Sequence, residues 1–158
     1  MKHFTLAAFS AERRIAAIAL FRGTHLEDIK LRFLPAGTSK SLGSVSELVT
    51  RSFEQHHPEF VAISIPSSKA GERVRRFCGA AKETANALGI PAIEVEDKTL
   101  MFAYGHPPLT RKEHVRRVGR AIWPSLNSSK SRRAAVDAST VGLYVQTERL
   151  FSQYEAQP

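Results

Sequence analysis

Apolar and polar positions follow two rhythms along this chain. Phe4 to Phe9 reads as a first strand. Ile15 to Phe21 is apolar almost throughout, as a strand covered on both faces would be. Ser10-Ala11-Glu12-Arg13 between them reads as a tight turn, and Arg22-Gly23-Thr24 marks the next one. Ile29, Leu31 and Phe33 then alternate with Lys30 and Arg32, the period of a half-buried strand with one wet face. Three strands joined by short turns predict an antiparallel meander.

Helical spacing follows. Pro35 to Gly43, rich in Pro, Gly, Ser and Thr, predicts a loop. Ser44-Val45-Ser46-Glu47 has the pattern of a capping box, in which a hydroxyl and a carboxylate satisfy the first backbone N–H groups of a helix. Val45, Leu48, Val49 and Phe53 would share its inner face, and His56-His57-Pro58 would end it. Phe60 to Ile65 predicts a fourth, buried strand, stopped by Pro66. Ser67, Ser68 and Gly71 open a second helix. Its apolar stripe is Val74, Phe77, Cys78, Ala81, Ala85 and Leu88, closed by Gly89 and Pro91. Ala92 to Val95 is a short fifth strand. Strand, helix, strand in succession implies a parallel crossover.

The last third is helical and basic. Lys98 to Leu109 contains Gly105, Pro107 and Pro108 and predicts a loop with about one helical turn. Phe102 is expected in the core; Tyr104 is balanced between core packing and base stacking. Thr110-Arg111-Lys112-Glu113 forms a second capping-box pattern, with Val115, Val118, Ile122 and Trp123 as the inner face. Pro124 to Lys130 is a polar loop. A final helix over Ser131 to Arg149 offers Ala135, Ala138, Val141, Gly142 and Val145 for packing. Residues from Gln153 onward read as a frayed tail. No repeat or linker divides the chain, so the expectation is one domain over residues 1–152 with a tail over 153–158.

Charge adds a partner class. The 158 residues are 42% apolar, carry a formal charge of +8 and have a pI near 10.1. This balance favours an anionic partner, nucleic acid before an acidic membrane surface. The charge is clustered: Arg111, Lys112, Arg116, Arg117, Arg120, Lys130, Arg132 and Arg133 stand against the single acid Glu113. These eight are the candidate nucleic-acid-binding residues. The bland alternative is a solvated helix surface kept for solubility. The single Cys78 can make no internal disulfide and is expected to be a buried, inert thiol. No apolar run approaches the ~18 residues that a membrane span needs. The N-terminus lacks signal-peptide design, so a cytoplasmic location and no membrane partner are expected.

Candidate chemistry is sparse. His56 and His57 are adjacent and would point apart at a helix end, which favours a solvated terminus over a metal site. Glu94, Glu96 and Asp97 cluster at the end of the fifth strand and read first as a solvated strand end, second as Mg²⁺ ligands. Ser64, Ser67 and Ser68 lie near the histidines in sequence without nucleophile-elbow spacing. No phosphate-binding Gly-rich loop or cofactor fingerprint is present, and no cofactor is expected.

The order of elements, Pro58-Glu59-Phe60-Val61-Ala62-Ile63, the loop and basic helix after strand five, and Ala135-Val136-Asp137-Ala138 together resemble the RuvC branch of the RNase H-like superfamily, the Holliday-junction resolvases. The resemblance spans about residues 4 to 150. It implies an α/β fold with a five-stranded mixed sheet, three antiparallel strands then two parallel, flanked by helices. It also implies a homodimer, and three or four carboxylates around two Mg²⁺ ions that activate water and stabilise the leaving oxygen. An acid is implied in strand one, at the end of strand four and in the last helix. Here strand one offers Ala7 or Ala8, strand four offers Ser64, and the last helix keeps Asp137 with Ala134 three residues earlier. One carboxylate does not replace enough water around Mg²⁺ to hold two ions. The expectation is therefore a nucleic-acid-binding protein without nuclease activity. Two alternatives stand beside it. One is an active Mg²⁺-dependent endonuclease in which Glu12 or Glu94 joins Asp137. The other is a protein-interaction module whose basic face meets an acidic partner.

Overall fold

A computed structural model describes residues 4–67, 71–127 and 133–155. β1 (Thr5–Ala11), β2 (Ile15–Arg22) and β3 (His25–Phe33) form the antiparallel meander, and α1 (Thr38–His56) follows. β4 (Phe60–Ile65), α2 (Glu72–Ala87) and β5 (Ala92–Glu96) form the crossover. α3 (Asp97–Ala103), α4 (Lys112–Ile122), a short 3-10 turn (Pro124–Asn127) and α5 (Arg133–Glu155) complete the chain. The sheet order is β3-β2-β1-β4-β5, with β4 parallel to β1 and β5 parallel to β4. This is the mixed five-stranded sheet that the hydrophobic patterning predicts.

Alternation along β1 sends Ala7 and Phe9 to one face and Leu6 and Ala8 to the other. The first face packs under α1 and α2 with Val49, Phe53, Ile63 and Phe77. The second face is lined by small side chains, Ala8, Ala17, Ala19 and Ala62, and receives α5. Small residues let the helix lie close. A methyl on Gly142 would collide with the Phe21 ring and stand 3.1 Å from the Ala8 methyl. Ala134 to Gly142 is buried all round, between the sheet and α4, so this helix has no wet face in its first half. Gln146 ties it to the sheet by donating 2.8 Å hydrogen bonds to the carbonyls of Phe4 and Gly23.

Several local expectations are corrected by tertiary contacts. α1 begins at Thr38, so Ser44 and Glu47 lie inside the helix and form no capping box. Arg73 of α2 donates to the Pro35 carbonyl and the Ser41 hydroxyl, holding this stretch as helix where composition predicts a loop. At α4 the N-cap is Arg111, without a side-chain capping bond, so the second box also fails to form. Leu88 and Ile122 fall at helix ends and are exposed, and Phe102 is 73% exposed on α3. The His56 side chain is 8% exposed, its Nε2 3.1 Å from the Phe21 carbonyl oxygen, and is not a solvated terminus. α5 continues to Glu155, into the stretch expected as a tail. Among the described residues no helix is long and apolar enough to cross a membrane.

Candidate functional site

β1 and β4 run parallel, with Phe9 beside Ile63 as their last paired positions. One residue further on, Ser10 and Ser64 emerge together at the C-terminal edge of the sheet, on the face that α5 covers. Asp137, at the start of α5, faces the same cleft of about 470 Å³. Ser10 and Ser64 are 3% and 6% exposed. Ala8 lies two residues deeper, under α5 against Gly142, and Ala7 faces the opposite side of the sheet. The residue that strand one contributes to this edge is therefore Ser10, a position that extending the Leu6–Ala8 alternation by one step identifies.

α4 delivers the cations. Gly119 lets α4 approach α5, because a methyl there would stand 2.8 Å from the Thr140 Cγ2 and 3.1 Å from the Val136 Cγ1. That approach brings Arg116 onto Asp137. Its Nε donates to Oδ1 at 2.9 Å and its Nη2 to Oδ2 at 3.0 Å, a fork on a carboxylate. Nη1 donates to Glu113 Oε2 at 3.1 Å, and Arg120 Nη1 reaches Glu113 Oε1 at 3.2 Å. One helical turn before Arg116, Lys112 donates to Asp97 Oδ1 at 3.0 Å. Burial works against the Arg116 charge, but the hydrogen bonds and charge of Asp137, then Glu113, outweigh it and raise its pKa. The bond from Arg116 holds the Glu113 carboxyl below the usual range despite some desolvation.

The eight basic candidates thus divide. Lys112, Arg116 and Arg120 are engaged with acids of the same chain. Arg111, Arg117 and Arg133 are exposed. Lys130 and Arg132 lie outside the described residues. The two carboxylates offered as companions to Asp137 also divide. Glu12 lines the cleft and accepts the N–H of Ala134 at 3.4 Å. Glu94 points to the α2 side of the sheet and pairs with Lys82 at 2.9 Å. Strand alternation places it across the sheet from Asp137. Tyr104 donates its hydroxyl to the Thr140 carbonyl, and burial raises its pKa, so it is committed to packing. Among the described residues no three His, Cys, Asp or Glu side chains gather in a group able to hold a metal ion. Sequence reasoning missed the internal use of Arg116 and Lys112. Only the i,i+3 spacing of Glu113 and Arg116 hinted at it.

No family model matches the chain, and no curated protein sequence matches it. Solved structures do. Thermus thermophilus RuvC, in complex with a Holliday-junction substrate, aligns with a TM-score of 0.71 at 17% identity, over 95% of this chain and 98% of that one. The fowlpox virus resolvase, in complex with junction DNA, aligns at 0.63 and 11% identity, over 93% and 99%. The yeast mitochondrial Holliday junction resolvase Ydc2 aligns at 0.62 and 9% identity, over 94% and 80%. Similarity at this identity is similarity of fold, and the fold of this chain is the RuvC-like form of the RNase H-like architecture.

Proposed function

We infer that this protein binds nucleic acid on its RuvC-like scaffold and does not cleave it. The observation that carries the reading is the fork of Arg116 on Asp137. Two-metal phosphodiester cleavage needs carboxylate oxygens open to the ions. Here both oxygens of Asp137 are taken by a guanidinium, and the adjacent strand positions carry the hydroxyls of Ser10 and Ser64. Glu94 is turned to the other face of the sheet. These residues do not fit a pair of divalent ions. The exposed arginines Arg111, Arg117 and Arg133, with a net charge of +8, support an anionic polymer as partner. Solved proteins of the same fold hold Holliday-junction DNA, which makes a four-way junction the first substrate to try.

The test is a labelled four-way junction incubated with the protein and Mg²⁺ or Mn²⁺. Mobility shift with intact strands is the expected result. Metal-dependent cleavage that disappears in Asp137→Asn would overturn the reading and would return Glu12 as a substitute ligand.

A further inference from the structure

α5 is buried all round through Gly142, and beyond it one side of the helix is open. Its apolar positions continue there at helical spacing: Leu143, Thr147 and Phe151 stand on one line. α3 lies alongside and adds Phe102, and the two helices wall a mostly apolar hollow of about 790 Å³. Phe102 on one wall and Phe151 on the other are 73% and 62% exposed, and Leu150 is 43% exposed. A second hollow of about 500 Å³ adjoins the first at Tyr144 and Glu148. Contiguous apolar side chain left in water is unfavourable by about 25 cal/mol per Å², and a patch of this kind marks a contact surface.

Charge selects the occupant. A chain of net +8 repels its own copy over most of its surface, most of all where Arg111, Arg117 and Arg133 are exposed. The two hollows are instead lined by Lys98 and Arg149 against Glu59 and Glu148, and the balance is even. Arg149 and Glu59 pair with each other at 3.2 Å. Lys98 and Glu148 both border the larger hollow, and neither has an ion-pair partner among the described residues. One patch thus holds projecting rings, a hollow to receive them and an unpaired charge of each sign. A two-fold contact needs both halves of every interaction on one surface. We propose that the α3–α5 groove is the contact between two copies of this chain, in which Phe151 of each enters the hollow of the other and Lys98 of each meets Glu148 of the other. Phe151 follows Asp137 by about 20 Å of helix, so the contact leaves each sheet-edge cleft and its arginines open.

The experiment is sedimentation velocity from about 1 to about 100 μM on wild type, Phe151→Asp, Lys98→Glu and Glu148→Lys, with thermal melting as the folding control. Wild type should pass from monomer to dimer within this range. Phe151→Asp should weaken dimerisation about a hundredfold with little change in melting, because a two-fold contact loses the ring twice. Lys98→Glu and Glu148→Lys should each weaken it about tenfold, since each sets like charges face to face. An equimolar mixture of these two variants should recover the dimer, because opposite signs then meet at both contacts. A wild type monomeric throughout overturns the proposal. A dimer that ignores Phe151→Asp uses another face and overturns it too. A dimer sensitive to Phe151→Asp whose charge variants do not complement each other pairs in another arrangement, and the two-fold assignment falls. Junction binding is measured separately by mobility shift, and its failure would bear on the nucleic-acid reading alone.

Discussion

Arg116 holds Asp137 by two hydrogen bonds of 2.9 and 3.0 Å, joining α4 to α5 where both meet the sheet edge. The side chains are 18% and 11% exposed, so the pair is largely out of water. Removing one partner strands a charge in a poorly solvated place. Asp137→Asn or Arg116→Ala should each cost about 3 kcal/mol in denaturant unfolding. The double variant Arg116→Met/Asp137→Leu should cost clearly less than the sum of the single changes. Additive losses would show that the two residues act separately.

Two glycines should respond to alanine with opposite signs. Gly142 faces the sheet, where a methyl meets Phe21 and Ala8, so Gly142→Ala should destabilise by about 1–3 kcal/mol. Gly79 lies in the exposed interior of α2 with nothing within 4 Å of an added methyl, so Gly79→Ala should stabilise by about 0.5–1 kcal/mol. Paired thermal melts would check both.

Cys78 is buried, and its thiol donates to the Ser64 carbonyl at 3.4 Å. Burial first, then the charges of Glu94 and Asp97, push its pKa up to about 12. The folded state therefore keeps the proton where the unfolded thiol would lose it. This contribution is intact below the unfolded thiol pKa, about 8.5, and fades as pH rises toward the folded value. Native protein should resist iodoacetamide at pH 8 and react promptly once unfolded in denaturant. Fast native alkylation would show that the site opens readily.

The engaged and exposed arginines should separate in a salt titration. Alanine at Arg111, Arg117 or Arg133 should weaken nucleic-acid binding to any sequence and lower the slope of log affinity against log salt by about one each. Arg120→Ala should change the slope less, because its guanidinium already serves Glu113. A slope indifferent to Arg117 would move the contact surface off α4.

Order and type of the elements were legible before any coordinates. Ile29, Leu31 and Phe33 announce a strand by their period of two, and Phe77, Cys78 and Ala81 announce a helix by their spacing, because local backbone geometry sets both rhythms. The element boundaries were less legible. Arg73 reaches across from α2 to the Pro35 carbonyl, and no local pattern around Ser44 encodes that contact. The site was legible only in part. Asp137 and the density of basic charge stand out in the chain, but a list of arginines does not say which ones already have a partner. Arg116 and Arg117 are neighbours in sequence, yet a turn of about 100° per residue points one at Asp137 and leaves the other in water. The same reasoning explains Ser10 and Glu94. Strand alternation assigns each to a face, but only the packing of α5 on one face decides which of them meets Asp137.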